Sequence, residues 1–309
     1  MDSAGGRTRR WHTLSCTQRV GRLLRHEPPL PHPMQPPRMQ PLAQWPQLDR
    51  QRIIGVLTDI DDTLTTDGAI TPDALQALHD LKAAGLHVVA ITGRPVGWSE
   101  EFAMTWPVDA IVAENGAVAL QKTYQNGPQS KYLLLNKLSK SYQQPSDIRA
   151  ANYARMQRVL VRIEREVPGA QRSTDSPGRE TDIAIDHSEF THLAPDRIEQ
   201  VVQIMQSEGM QATVSSIHIN AWYGDHNKLH GARWIVRQLF DRDLDAEIDR
   251  WAYIGDSTND QVMFEAFAHS VGVANIARFT AQLKHLPSYI TQGERGAGFA
   301  QFSAALLSR

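Results

Sequence analysis

Cysteine is almost absent from this 309-residue chain, which contains only Cys16. A single thiol excludes an internal disulfide framework and leaves a reducing, cytoplasmic setting as the expectation. Long apolar runs are missing too. Nothing approaches the roughly 20 residues of a membrane-spanning helix, so no membrane partner is expected. There is no histidine–cysteine ligand set, which argues against zinc. Lysine is absent from residues 1–50, which carry eight arginines against Asp2, Glu27 and Asp49, a balance of +5. The whole chain is at −2, so the rest totals −7. An acidic body gives no support for nucleic-acid binding.

The same first 50 residues hold eight of the 17 prolines. Such a stretch cannot form a regular element or bury much apolar surface, so residues 1–48 are expected to be a disordered leader. The segment RTRRWHTLSCTQRVGRLLR is basic and free of acids, as an Arg-rich targeting peptide would be. An extended start is the other reading, with the functional chain beginning near Met34 or Met39.

From residue 52 strands and helices alternate. IIGVLT (53–58), HVVAIT (87–92) and VDAIVA (108–113) are apolar runs of buried strands. Thr71-Pro72 opens a helix and Gly85 closes it. After Lys228 come a helical stretch, the strand WAYIGD (251–256), the helix NDQVMFEAFA, the strand SVGVA (270–274), another helix, SYIT (288–291) and a C-terminal helix. This pattern predicts a doubly wound, mostly parallel α/β sheet. Met263, Phe264 and Phe267 read as its core. Residues 116–224 differ. Asn115-Gly116 signals a turn, YLLLN (132–136) a strand, and 147–166 a long polar helix. TDIAIDH (181–187) and QATVSSIHINAWYG read as strands, with a capped helix, PDRIEQVVQIMQSEG, between them. The expected organisation is a catalytic core of residues 49–115 and 225–309, with an inserted α+β cap at 116–224.

Four segments carry chemistry: DIDDTLT at 59–65, ITGRP at 91–95, Lys228, and GDSTND at 255–260. The first and last are apolar strands that deliver carboxylates to a sheet edge. Such acids repel unless a hard cation sits among them, and oxygen ligands favour Mg²⁺. An acid pair, a metal, a hydroxyl and a lysine suit phosphoryl transfer through an aspartyl-phosphate. Each residue alone has a plainer reading: a turn or cap Asp, an N-capping Thr92, a solvated lysine, or a helix cap at Ser257–Asp260.

In this order the four segments resemble the motifs of the haloacid dehalogenase superfamily of phosphatases. The insertion is placed and sized like the large cap of its IIB, sucrose-phosphatase-like branch. The resemblance covers about residues 50–309. It implies that Asp59 is the nucleophile and Asp61 the general acid and base. Thr92, with the backbone N–H groups of Gly93 and Arg94, would bind the phosphoryl oxygens, joined by Lys228 and Asn259. Asp59, the carbonyl of Asp61, Asp256 and, indirectly, Asp260 would hold Mg²⁺. Asp62 stands where the family commonly has glycine and is assigned no chemistry. Thr63 is expected to order the loop. The implied substrate is a small phosphorylated metabolite, a sugar phosphate by analogy with the branch. The implied activity is hydrolysis, with a phosphomutase or phosphotransferase, or a non-catalytic phosphate-binding module, as alternatives. A monomer or homodimer is expected.

In the cap, His218, Asn220 and Trp222 share one face of an alternating strand. They would contact a sugar, or else form an exposed face with one packed Trp. Arg179, Glu180 and Asp182 read equally as specificity groups or surface charges, and His226 as a hinge. Lys122, Lys131, Lys137 and Lys140 read as solvated.

Overall fold

The computed structural model describes residues 39–125 and 135–308, apart from the side chains of 124, 125, 135 and 136. In chain order the elements are β1 (Gln40–Pro41), α1 (Gln47–Arg50), β2 (Gly55–Thr58), β3 (Thr65–Thr66), β4 (Ala69–Ile70), α2 (Pro72–Ala83), β5 (His87–Ile91), α3 (Val96–Thr105) and β6 (Ala110–Ala113). Then come β7 (Val118–Gln125), β8 (Leu135–Tyr142), α4 (Ser146–Glu166), β9 (Gln171–Arg172), β10 (Ile183–Asp186), α5 (Pro195–Ser207), β11 (Gln211–Val214) and β12 (His218–Trp222). The chain closes with α6 (Lys228–Phe240), β13 (Trp251–Gly255), α7 (Gln261–Ala266), β14 (His269–Gly272), β15 (Tyr289–Ile290) and α8 (Arg295–Leu307).

The main sheet has nine strands in the order β1-β15-β14-β13-β2-β5-β6-β7-β8. All pairings from β1 through β6 are parallel, while β6–β7 and β7–β8 are antiparallel. The strands between are covered on both faces. Val56, Val88 and Ile254 pack with Leu78 of α2 and Phe299 and Phe302 of α8. Their neighbours Leu57, Val89 and Tyr253 pack with Ile235 of α6 and with Met263, Phe264 and Phe267. The two-residue period of a strand divides these apolar runs between the two layers. Pro72 opens α2 and Gly85, at φ 80°, ends it as expected. Among the described residues no helix is long and apolar enough to cross a membrane.

Three expectations change. Residues 39–48, placed in the leader, belong to the fold. Strand β1 pairs with β15, and Trp45 is buried between Tyr289 and Phe302, with ring centroids 5.6 and 6.0 Å away. Residues 1–38 lie outside the described residues. Residues 118–125 and 135–142, expected within the insertion, form β7 and β8 and extend the main sheet, while residues 132–134 of the expected strand at 132–136 lie outside the described residues. A hairpin partner on an edge strand satisfies backbone groups that β6 would otherwise leave open. The separate unit that follows is a four-stranded sheet, β11-β12-β10-β9, backed by α4 and α5. Finally, Gln211–Gly224 is a hairpin rather than one strand. Ser215 N–H and its hydroxyl both bond to the His218 carbonyl, at 2.8 and 3.1 Å. Serine favours turns through such local bonds, and apolar periodicity does not register them.

Candidate active site

Strand β2 ends at Thr58, and the next residue, Asp59, is buried with its N–H on the Ile254 carbonyl of β13 (2.9 Å). The chain then turns tightly. Asp62 has φ 54°, a left-handed conformation that Asp tolerates better than most residues, which accounts for its standing at a glycine position. The loop is tied by Thr65 Oγ1 on the Ile60 carbonyl (3.2 Å), while the buried Thr63 hydroxyl has no partner among the described residues. Thr65 rather than Thr63 therefore supplies the ordering bond.

Strand β13 delivers Asp256, and the turn before α7 carries Asp260, both fully buried. Lys228 opens α6 behind the N-cap Asn227, whose side chain accepts His230 N–H at 2.9 Å. A bare backbone approach lets α6 come this close: a Cβ at Gly231 would lie 2.6 Å from Gly116 Cα. The Lys228 ammonium donates to Asp59 at 2.5 Å and to Asp260 at 2.6 Å. Asp260 also accepts the Tyr253 hydroxyl, Asp256 N–H (2.9 Å) and Ser257 N–H (3.1 Å). Four donors fill its carboxylate, so it acts here as an anchor for Lys228.

Positive charge is short at this point. Burial, with Asp260 and Asp61 nearby, pushes Asp59 up to about 7 despite Lys228. Burial, with Asp59, Asp260 and Asp62 nearby, holds Asp256 well above the carboxylate range. Burial would lower Lys228, but Asp260 and Asp59 keep it above its ordinary value. Asp59, Asp256 and Asp260 bring carboxylate oxygens within 4.8 Å of one another, and Asp256 Oδ1 is buried with no hydrogen-bond partner among the described residues. Orphaned, desolvated carboxylate oxygens fit a hard divalent cation. With Asp260 saturated, Asp59 and Asp256 are the side chains placed to hold one.

Strand β5 leads into Thr92-Gly93-Arg94. The Arg94 N–H donates to Thr92 Oγ1 (3.0 Å), so this backbone donor, expected to face a phosphoryl group, is turned to the threonine instead. The Thr92 hydroxyl proton and Gly93 N–H are the donors left to the loop. The Arg94 side chain reaches Asp61 Oδ1 (2.9 Å) in the core and two cap carboxylates, Glu189 (2.8 Å) and Asp175 (3.4 Å).

His218, Asn220, Trp222, Arg179, Asp182 and His226 are buried, which overturns the reading of an exposed face, whereas Glu180 is half-buried and pairs with Lys140 at 3.0 Å. His218 Nε2 lies 2.8 Å from Glu189 Oε2. Asn220 donates to the Gly93 carbonyl (3.3 Å) and to Asp182 (3.2 Å). Trp222 stacks on His226 and donates to its carbonyl (2.9 Å), so His226 is packed rather than a free hinge. Arg179 is also buried, donating to the Gly93 carbonyl (3.0 Å) and Asp182 (2.8 Å). It is neither a surface charge nor open to a pocket over Asp59. Burial pushes Asp182 up to about 8 even beside Arg179. The turn Ser215–Ile217, with His218 and Asn220, closes over Asp59, Asp61, Gly93 and Asn259 and leaves about 10 Å³, room for one water at most.

Three contributors were not singled out in sequence. Asn275 bonds Asp256 (3.1 Å) and the Asp62 carbonyl (3.1 Å). Glu114, buried at φ 49°, accepts the backbone of Val96 (3.0 Å) and Glu180 (2.9 Å), tying core to cap. Glu189 is the third. The ENG segment hinted at a turn; nothing local marks the other two.

The sequence profile of the haloacid dehalogenase-like hydrolases matches residues 56–302. A Streptococcus pyogenes protein with a provisional phosphatase name is 22% identical over 267 residues, covering 79% of this chain and 95% of its own. A structure from Thermoplasma acidophilum superposes with TM-score 0.61 at 16% identity, over 82% of this chain and 98% of its own. The sucrose-phosphatase of Synechocystis, solved with sucrose and phosphate, gives TM-score 0.56 at 17% identity, over 82% and 99%. These likenesses extend through both the nine-stranded core and the inserted unit. With its profile match, its doubly wound core and its α+β insertion, the chain belongs to the haloacid dehalogenase-like hydrolase family, in the large-cap form.

Proposed function

We propose that the chain is a Mg²⁺-dependent phosphomonoesterase that works through an aspartyl-phosphate on Asp59. Its main support is the meeting of Asp59, Lys228, Asp256 and Asp260 at one sheet edge, with Lys228 2.5 Å from Asp59. The Asp59 carboxylate attacks phosphorus while Asp61 gives its proton to the leaving oxygen, and the ester bond breaks. Asp61 then takes a proton from the water that attacks the acyl phosphate, releasing inorganic phosphate and free Asp59. Lys228, the Thr92 hydroxyl, Gly93 N–H and Asn259 stabilise the phosphoryl oxygens. Bound Mg²⁺ would offset the charge of Asp59, Asp256 and the phosphoryl group. The substrate is a small phosphorylated metabolite, a sugar phosphate by likeness to the branch.

The small space over Asp59 favours one second reading. A site with about 10 Å³ of free volume excludes bulk water, as transfer to a sugar acceptor requires. A screen of phosphorylated metabolites with Mg²⁺ separates the two. Stoichiometric phosphate from a single substrate supports hydrolysis, and phosphate only when an acceptor is withheld supports transfer. Asp59→Asn is expected to abolish turnover with the far-ultraviolet circular dichroism unchanged, and a chelator to stop activity until Mg²⁺ returns. A tenth of wild-type activity in Asp59→Asn would remove that residue from the role.

A further inference from the structure

Two clefts flank the closed space over Asp59, and their linings differ in kind. The first, of roughly 440 Å³, opens beside Asp61 and also carries Asp62, Asp67 and Glu189. Its arginines are already paired: Arg94 with Asp61 and Glu189, Arg295 with Asp62 and Asp67, Arg278 with Asp62. Since Asp61 must reach the leaving oxygen, the leaving group belongs on this side.

The second cleft, of roughly 380 Å³, lies between β11, the start of α6 and the segment entering α7. Among the described residues no acidic one lines it. Its polar surface is made of amides, among them Asn115, Asn227, Gln261 and Gln282, and two lysines: Lys228, already held by Asp59 and Asp260, and the exposed Lys284, which has no carboxylate partner among the described residues. In a body with a net charge of −7 (−2 for the chain less +5 for residues 1–50), a carboxylate-free cleft is an exception. Amide and ammonium donors favour an anion, and the absence of facing carboxylates removes the repulsion that would expel it. The N-terminal end of α6, a 13-residue helix, adds a positive field. Asn259 lines both this cleft and the space over Asp59, and Lys228 joins the cleft to the nucleophile.

We infer that this cleft is a second anion site, which takes inorganic phosphate released at Asp59. The inference rests on the phosphatase reading for the source of the anion, but not for its binding. Phosphate held there coexists with substrate in the catalytic position. Product inhibition should therefore show an intercept component besides the slope component that competition at Asp59 produces.

Equilibrium dialysis of labelled inorganic phosphate against the full chain with Mg²⁺ tests the site directly. Two classes of binding are expected. Lys284 is exposed, so changing it should spare the fold. Lys284→Glu is expected to weaken one class at least tenfold, and Lys284→Gln by less, an order set by charge. In kinetics the intercept component of phosphate inhibition should vanish in Lys284→Glu. A single binding class in the wild type, or two classes unmoved by Lys284→Glu, overturns the inference. Two classes without phosphate release from any substrate would uphold the anion site and refute the phosphatase reading.

Discussion

Replacing Asp260 by asparagine separates two views of this residue by the sign of the effect. If Asp260 is simply one acid in a repelling cluster, neutralising it relieves Asp59 and Asp256, and the metal-free protein gains stability. The hydrogen bonds point the other way. One oxygen accepts Lys228 (2.6 Å) and the Tyr253 hydroxyl, the other accepts Asp256 N–H (2.9 Å) and Ser257 N–H (3.1 Å). An asparagine amide turns its NH₂ toward one of these donor pairs whichever way it sits. Two buried donors then lose their acceptor, at about 1–3 kcal/mol each. Lys228, about 1% exposed, also loses one of two anionic partners, and breaking a buried pair costs about 3–5 kcal/mol. These terms overlap, and relief of repulsion offsets part of them, so a net loss of about 3–5 kcal/mol is expected. Urea unfolding of the metal-free wild type and Asp260→Asn measures it. A loss below about 1 kcal/mol, or a gain, would refute the anchoring role.

Three further expectations follow from named contacts. Trp45→Ala should cost about 3–5 kcal/mol, since Trp45 fills the space between Tyr289 and Phe302; a near-neutral result would put residues 39–48 outside the cooperative fold. His226 is held down at about 4 by burial and by nearby His230, so the folded state binds fewer protons than the unfolded one below pH 6.5. Its contribution is full above pH 6.5 and is lost as pH falls toward 4, by about 3 kcal/mol; His226→Gln should flatten the melting profile across that window, and an unchanged slope would disprove the effect. Asn220→Ala should lower kcat/KM about tenfold for a metabolite and an aryl phosphate alike, because Asn220 holds the Gly93 carbonyl; a fall for the metabolite alone would make it a reader of the leaving group.

Much of the core was legible because its signals are local. Apolar runs ending in Asp59 and Asp256 place those acids at strand ends by chain direction alone. Pro72 and Gly85 punctuate α2 for reasons internal to their own backbones. Beyond that range the sequence was mute. That Asp260 spends both oxygens on Lys228, Tyr253 and two backbone amides depends on three segments meeting. The Arg94 side chain finds Asp61, Asp175 and Glu189 only after the cap has folded over the core. His218, Asn220 and Trp222 were correctly placed on one strand, yet that strand turned out to be half of a hairpin. Its Ser215–Ile217 turn covers Asp59, a fact about packing that no two-residue period carries.

The guanidinium of Arg94 ties together events that could otherwise occur out of order. One nitrogen holds the residue assigned to move protons, and the others hold the cap. Three carboxylates, one in the core and two in the cap, share that one positive charge. A single side chain therefore couples the assigned proton carrier to the cover over Asp59, and loss of its charge would be felt at both places at once.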